Sequence, residues 1–353
     1  MDARLDYVWL DGYRPTTNIR TKAQVVPSED FSAATAAPEH PERDLDDVPV
    51  WGFDGSSTQQ ADGHDSDCVL QPVRIYDHPL HDHAYIVLCE VMHEDGTPHP
   101  SNTRALVPDD ADEFWFGFEQ EYVLMTTDDR PIGFPKGGFP EPQGPYYCAV
   151  GAHNIAGREV VEQHWRVCRA AGLGITGINA EVMLGQWEYQ CFGKGPKRAC
   201  DDLVVSRFLM SLIAERYDMV FNLDPHPIQG DWNGSGMHTN FSFDHLRDVG
   251  GRAYIEALCA GFGRFHDDHL AVYGAGNERR LTGAHETASI DRFSYGPSDR
   301  GASIRIPIHT RSNGWKGYLE DRRPAADGDP YLITARIIET VRAVHEEALQ
   351  ASG

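Results

Sequence analysis

The sequence lacks long apolar runs and is short of positive charge. No stretch approaches the roughly 18 consecutive apolar residues of a membrane-spanning helix, and the first residues carry neither the basic nor the apolar block of a signal peptide. Thirty-one Lys and Arg stand against 54 Asp and Glu, a formal net charge of −23, so the surface as a whole repels nucleic acid and anionic membranes. We therefore expect a soluble, cytoplasmic protein with no nucleic-acid or membrane partner.

Cysteine pairs and phosphate-loop motifs are missing as well. The seven cysteines are an odd number, lie far apart and include no C-x-x-C, which argues against a disulfide framework and a structural zinc site. We expect free, mostly buried thiols. There is no G-x-x-x-x-G-K-[ST], and no strand is followed by a G-x-G-x-x-G that opens a helix, so the sequence disfavours P-loop and Rossmann enzymes.

Two structural units follow from the length of 353 residues and from the pattern along the chain. Short apolar or alternating runs dominate the first third and predict a small β-rich unit. From about Phe114 strands alternate with helices, and we place the boundary so that the domains span 1–105 and 106–353. The acidic, Ala- and Pro-rich stretch Pro27–Pro49 has no period and predicts a surface loop of unknown role. The helices are predicted at Gly157–Ala171, Asp201–Tyr217, Tyr254–Phe265 and Ile333–Leu349.

Acidic residues lie inside otherwise apolar strands of the second unit. In the run 114–124 the period of two puts Glu119 and Glu121 on one face, roughly 6–7 Å apart along the strand. A lone E-x-E motif commonly lies on the solvent-exposed face of a sheet. However, Glu181 lies among apolar residues and Glu188 alternates with aromatics, which a solvated face rarely does.

His238 and Glu320 complete a candidate metal centre. His238 alternates with small residues that leave room for a ligand, although a lone histidine is more often a core or surface group. Together with the four other carboxylates, this set suits hard cations such as Mg²⁺ or Mn²⁺ better than zinc. The number of acids suggests more than one ion.

Arginines cluster near these strands, in a chain with 26 Arg and only 5 Lys. Taken singly, Arg280, Arg300, Arg305 and Arg322 could each be a surface ion pair. Beside a carboxylate–metal cluster they fit phosphoryl transfer, in which cations neutralise charge on the transferred group. The residues therefore indicate a metal-dependent enzyme that handles a nucleotide phosphate.

Six segments resemble the signatures of the class II (eukaryotic-type) glutamine synthetase family, in family order across nearly the whole chain. They are Trp51–Thr58 (WGFDGSST), Phe116–Tyr122 (FGFEQEY), Asn179–Glu188 (NAEVMLGQWE), Asn233–Asn240 (NGSGMHTN), Arg279–Thr287 (RRLTGAHET) and Tyr318–Pro324 (YLEDRRP). The resemblance implies an α+β fold, with an N-terminal β-grasp domain and a C-terminal catalytic domain built on a curved antiparallel sheet flanked by helices. It also implies a homo-oligomer of two stacked pentameric rings, with active sites between neighbouring subunits.

The resemblance also implies residue roles and the ligands ATP, L-glutamate and two or three Mg²⁺ or Mn²⁺ ions. One ion would be held by Glu121, Glu181 and Glu188, and a second by Glu119, His238 and Glu320. ATP would meet Asn240, Ser242, Arg300, Arg305 and Tyr318, and glutamate would meet Glu181, Asn233, Gly234, Arg280 and Arg322. The implied catalytic residues are Arg300, the amine base Asp67 from an adjacent subunit, and the flap carboxylate Glu286; the amine pocket would comprise Asp67, Ala156 and Glu286.

The reaction implied is glutamate + ammonia + ATP to glutamine + ADP + phosphate, through γ-glutamyl phosphate. Three features depart from the family pattern: Ala156 stands where an aromatic residue is usual, the segment 191–198 replaces a short Gly-Pro turn, and Asp299 stands in place of Asn. Because Ala156 would remove a wall of the amine pocket, an alternative is the same chemistry with a larger amine or hydrazine. A second alternative is a non-catalytic regulatory homologue.

Overall fold

The computed structural model describes residues 2–27 and 45–352, so the predicted surface loop Pro27–Pro49 lies outside it from 28 to 44. The N-terminal unit is a five-stranded sheet of order β2-β1-β5-β4-β3. Its β1 and β5 run parallel, and the other neighbours are antiparallel. The strands are β1 (Ala3–Leu10), β2 (Ile19–Val26), β3 (Trp51–Asp54), β4 (Asp67–Asp77) and β5 (Ala84–Met92).

Both faces of this small sheet are covered, which explains why β5 and the end of β1 from Tyr7 to Leu10 are apolar on both sides. Leu5 and Tyr7 point into the unit's own core with Phe53 and Leu70. The opposite face packs against the second unit through Val8, Tyr76, Ile86 and Leu88. Burial on two faces replaces the alternation of a half-exposed strand with a nearly continuous apolar run.

The second unit is built on an eight-stranded sheet of order β11-β12-β13-β10-β6-β8-β7, with β9 also paired to β6. The 12-residue strand β6 lies at its centre and is antiparallel to β8, β9 and β10. The strands are β6 (Trp115–Thr126), β7 (Ile175–Ala180), β8 (Gln186–Lys194), β9 (Met219–Asn222), β10 (Met237–Ser242), β11 (Tyr295–Pro297), β12 (Ile304–Ile306) and β13 (Leu319–Asp321).

The helices of the second unit are α1 (Arg158–Ala170), α2 (Pro196–Arg216), α3 (Asp244–Asp248), α4 (Arg252–Arg264), α5 (His266–Leu270), α6 (Ile308–Ser312) and α7 (Pro330–Ser352). The long helices α1, α2, α4 and α7 pack on the apolar face of the sheet. The four predicted helices are confirmed as α1, α2, α4 and α7. The backbone N–H of Tyr331 donates to Asp329 Oδ1 (2.9 Å), so Asp329 caps α7 and Pro330 occupies its first turn, as the sequence indicated.

Helix α2 begins five residues before its predicted start at Asp201. Within the segment 191–198, which replaces a short Gly-Pro turn of the family, strand β8 continues to Lys194 and Pro196 opens the helix directly after Gly195. Proline at the first helical position has no N–H to leave unpaired, so it starts a helix where it would break one further along.

The two units are joined by buried ion pairs on α2. Asp201 Oδ2 accepts from Arg74 Nε (3.0 Å), its Oδ1 accepts from Arg104 Nε (2.8 Å), and Tyr331 also donates to it (2.8 Å). Although burial opposes ionisation, Arg104 and Arg74 hold the pKa of the Asp201 carboxyl below its usual value. The N-terminal unit is therefore held to α2 by ion pairs that are largely shielded from solvent.

Along residues 2–27 and 45–352, no helix combines the length and apolar character that crossing a membrane requires. All seven cysteines are free thiols, and six are buried, as predicted; Cys148 is exposed.

We expect Asp201→Ala to lower the free energy of unfolding by about 3–5 kcal/mol, because it leaves buried guanidinium groups without their carboxylate. Urea unfolding followed by circular dichroism measures this loss. The control is Glu347→Ala, which removes the exposed pair with Arg264 (2.6 Å) and costs less than about 1 kcal/mol. Equal losses in the two variants would show that the Asp201 network does not join the units.

Candidate active site

Strand register brings the predicted carboxylates onto one patch of the central sheet. Glu119 lies opposite His238 on β10 and Gln190 on β8. Glu121 lies opposite Glu188 on β8. Because side chains alternate across a sheet, paired residues point to the same side, and these charged groups share the face opposite the helices.

One group of possible metal ligands is Glu119, His238 and Glu320, each offering an atom within 4.8 Å of the others. His238 Nδ1 lies 3.2 Å from Glu119 Oε2 and 3.5 Å from Glu320 Oε1. Burial, and then the nearby Arg322, hold the pKa of His238 well below its usual value. The imidazole is therefore neutral, which is the form that binds a metal.

The second group is Glu121, Glu181 and Glu188, also within 4.8 Å and all buried. Burial and the neighbouring Glu121 raise the pKa of Glu181 to about 8, and burial with the other acids raises that of Glu188 to about 9. Burial likewise raises the pKa of Glu121. Three carboxylates buried close together in this way favour the binding of a cation, because its charge offsets both their desolvation and their mutual repulsion.

Arginines surround the carboxylates on the side of β12 and β13. Glu320 accepts from Arg305 (2.7 Å) and from Arg322 (2.6 Å), and Arg300 Nη1 lies 3.1 Å from Glu286 Oε2. Arg280 is buried with its Nη2 3.1 Å from His238 Nε2, and burial lowers its pKa to about 10. A guanidinium so placed remains charged at neutral pH and can receive an anionic ligand.

These groups line a cavity of about 430 Å³, which we call the acidic cavity. Five of the six possible metal ligands reach it, as do Arg300, Arg305 and Glu286. The predicted glutamate-binding residues are all present in its lining: Glu181, Asn233, Gly234, Arg280 and Arg322.

A second cavity of about 550 Å³, the aromatic cavity, meets the acidic cavity at Glu119 and Gln190. Its walls include Trp115, Phe192, Phe241 and Arg247. The predicted ATP-binding residues Asn240, Ser242 and Tyr318 line it as well. An apolar compartment opening into a charged one suits a ligand with a flat base at one end and phosphates at the other.

Of the three predicted amine-pocket residues, Asp67 and Ala156 do not line the acidic cavity of this single chain. Asp67 is exposed at the start of β4, opposite Asp54. Ala156 packs between the core clusters instead of lining the cavity, and its carbonyl accepts from Trp187 Nε1 (2.7 Å). A Cβ built on Gly133 would come within 2.6 Å of the Ala156 Cβ, so the two backbones approach closely here.

Several lining residues were missed by the sequence reasoning. Trp115 shares the face of Glu119 by the same period of two, so the alternation of β6 could have identified it. Gln143, Tyr147 and His285 also line the acidic cavity, but they lie on irregular loops. No periodicity marks such positions, and loop residues meet only through the tertiary fold.

The fold and the site together define an α+β protein whose acidic, arginine-lined cavity suits metal-assisted phosphoryl transfer. Two family models match the chain: "Glutamine synthetase, beta-Grasp domain" over residues 3–94 and "Glutamine synthetase, catalytic domain" over residues 104–344. The chain belongs to the glutamine synthetase family. These matches also confirm the β-grasp and catalytic-domain fold that the sequence predicted.

Relatives named glutamine synthetase are similar over nearly their whole length. That of Bradyrhizobium diazoefficiens is 51% identical over 98% of this chain and 97% of its own. That of Streptomyces viridochromogenes is 48% identical over 99% and 100%. Among solved structures, Plasmodium falciparum glutamine synthetase aligns with a TM-score of 0.75 at 14% identity, over 98% of this chain and 72% of that one. Apo GmaS aligns with a TM-score of 0.72 at 20% identity, over 97% and 78%; both likenesses show the fold alone.

We expect Mn²⁺ binding at pH 7 to release about one proton per protein chain or more. The raised pKa values of Glu181 and Glu188, about 8 and 9, keep these carboxyls largely protonated at pH 7, and metal ligands must be ionised. Affinity therefore rises as the pH is raised toward 9 and falls below 7. Titration calorimetry in buffers of different ionisation enthalpy measures the protons. The Glu188→Gln variant should release fewer protons when it binds Mn²⁺. A binding heat that does not depend on the buffer would contradict the assignment of these carboxyls as metal ligands.

Proposed function

We propose that this chain joins ammonia to the γ-carboxylate of L-glutamate at the expense of ATP, forming glutamine, ADP and phosphate through γ-glutamyl phosphate. The observation that carries the proposal is the meeting of the two cavities at Glu119, beside five of the six possible metal ligands and four arginines that line the acidic cavity. The relatives described above, all named glutamine synthetase, support the same activity.

In this proposal the aromatic cavity receives the nucleoside of ATP, beside Asn240, Ser242 and Tyr318. Its phosphates extend into the acidic cavity toward Arg300 and Arg305. Glutamate enters the acidic cavity, where its α-carboxylate and amino group find Arg280, Arg322, Asn233, Gly234 and Glu181. The two substrates then approach each other beside the carboxylate groups.

The residues fit two or three Mg²⁺ or Mn²⁺ ions, because both groups of ligands are rich in oxygen and, among the described residues, the Glu121 group has no cationic partner within salt-bridge distance. Glu121, Glu181 and Glu188 would hold one, and Glu119, His238 and Glu320 another. When bound, the ions neutralise charge on the phosphate oxygens.

The first step transfers the γ-phosphoryl group to glutamate. A γ-carboxylate oxygen attacks the γ-phosphorus, the bond to the β-phosphate oxygen breaks, and ADP leaves. Arg300 and Arg305, which line the acidic cavity, would stabilise the charge that moves onto the leaving oxygen. A carboxylate has no good leaving group, whereas an acyl phosphate has one, so this step prepares the carbonyl carbon for attack.

The second step forms the amide. Ammonia attacks the carbonyl carbon, the C–O bond to phosphate breaks, and the nitrogen loses a proton to a base. We propose Asp67 of a neighbouring subunit as this base, since Asp67 is exposed and outside its own chain's cavity. Glu286 covers the intermediate and limits access of water.

We further propose the class II type, on the six motif segments, with domains 1–105 and 106–353 and two stacked pentameric rings. A ring would supply Asp67 from the neighbour. A cytoplasmic location is supported by seven unpaired cysteines, as a reducing compartment maintains thiols.

Ammonia is the better choice of amine than a larger amine or hydrazine. Ala156 would have to border the cavity to widen it, yet in this chain it does not line the cavity and packs against the core near Gly133. The regulatory alternative fits poorly too, since a chain without catalysis has no need to assemble both groups of possible metal ligands.

The test is coupled measurement of phosphate and glutamine with ATP, glutamate and a panel of amines: ammonium, alkylamines and hydrazine. We expect ammonium to be preferred. Glu121→Gln should reduce turnover below about one tenth of wild type, because a ligand is lost without a loss of volume. The control, Glu256→Gln, removes only an exposed pair with Arg252 (2.8 Å) and should retain full turnover. Substantial activity in Glu121→Gln would contradict the metal assignment.

Asp67→Asn should slow amide formation more than phosphoryl transfer, because only the second step removes a proton. Glutamate-dependent release of phosphate should therefore survive better than release of glutamine. Rapid quench with labelled ATP separates the two steps. If both steps slow by the same factor, Asp67 does not act as the amine base.

A further inference from the structure

The loop that carries Glu286 is connected to two other loops by a single side chain, His285. Its Nε2 lies 2.7 Å from Asp231 Oδ1, and its Nδ1 contacts the side-chain amide of Gln143. Gln143 lies between β6 and α1, and Asp231 between β9 and β10. An imidazole protonated on Nε2 donates to Asp231 and accepts from Gln143, so both contacts are satisfied together.

The backbone of this loop needs such support. His285 and Glu286 have φ angles of +50° and +60°, in the left-handed region that residues other than glycine seldom adopt. Two consecutive residues in that region cost conformational energy, so the surroundings must hold them there.

On its other side the loop contacts two arginines, Arg300 of the proposed phosphate site and Arg322 of the proposed glutamate site. Glu286 Oε2 lies 3.1 Å from Arg300 Nη1, and the Glu286 carbonyl accepts from Arg322 Nη2 (3.3 Å). A phosphate group arriving at Arg300 competes for that guanidinium and repels the Glu286 carboxylate. When that phosphate is present the contact of the loop with Arg300 therefore weakens, whereas the contacts of His285 with Asp231 and Gln143 do not involve Arg300.

From this arrangement, and resting on the proposed function, we propose that His285 is a positioning residue, a catch that keeps Glu286 over the acidic cavity while the acyl phosphate exists. Its partners are Asp231 and Gln143. With the catch released, water reaches the intermediate: its oxygen attacks the carbonyl carbon, the C–O bond to phosphate breaks, and glutamate and phosphate are released without glutamine.

The experiment measures phosphate and glutamine in the same reaction with saturating ATP, glutamate and ammonium. Wild type should release one phosphate per glutamine. His285→Ala and Asp231→Ala should raise this ratio by about two- to fivefold, the range expected when an exposed charged contact is lost. The double variant should be no worse than His285→Ala alone, because both substitutions remove the same contact.

The control is Glu347→Gln, which removes an exposed carboxylate pair on α7 and should keep the ratio at one. Asp231 is 89% exposed, so its variant leaves no buried cavity and tests the catch even where His285→Ala folds poorly. A ratio of one in Asp231→Ala and His285→Ala, or additive effects in the double variant, would overturn the proposal. If wild type makes no glutamine from ammonium, the proposed function is wrong, and the proposed role of His285, which rests on it, is wrong as well.

Discussion

Mutual repulsion among buried carboxylates is the constraint around which this catalytic domain is arranged. The pairing of β6 with β8 sets Glu121 opposite Glu188, and the end of β7 adds Glu181. None of the three has an arginine or lysine within salt-bridge distance among the described residues, and burial raises the pKa of all of them. Such a cluster by itself lowers the stability of the folded protein, and bound divalent cations offset this loss of stability.

The opposite face of β6 provides the rigidity that this arrangement requires. Gln120 donates to the carbonyls of Glu121 and Ala326, and its side-chain oxygen accepts from the buried Arg207 on α2. Arg207 also donates to Gly328, just beyond the segment that bears Glu320 and Arg322. The strand that carries the acids, the central helix and the arginine segment are thereby connected through one buried network. Metal and phosphate chemistry requires ligating side chains that are held in fixed positions.

The loops over the cavity have the opposite character. His285, Glu286 and Gln143 come from irregular segments, and the contacts of Glu286 with Arg300 are half exposed. Weak contacts allow substrates to enter and products to leave, whereas the sheet below must not move. The sheet that carries the charged residues is rigid and the loops over it are loosely held, because the sheet is buried more deeply than the loops.

The sequence by itself determined the two-unit organisation, the four long helices, the acids on one face of β6 and the family motifs. These features depend on local periodicity and on the chemistry of short segments, which can be read without knowing the fold. The early start of α2 was missed because the turn residues of Gly195 and Pro196 also suit a helix start.

Only the tertiary structure decided which groups meet. Sequence spacing gives no distance between Gln143 and His285, which are 142 positions apart, and it does not show that Ala156 lies near Gly133 and outside the lining of the acidic cavity in this chain. Strand register, set by hydrogen bonds between distant segments, placed His238 beside Glu119 and Glu188 beside Glu121. The protonation of these groups was decided there as well, because a pKa depends on burial and neighbouring charge, and both arise only when the chain has folded.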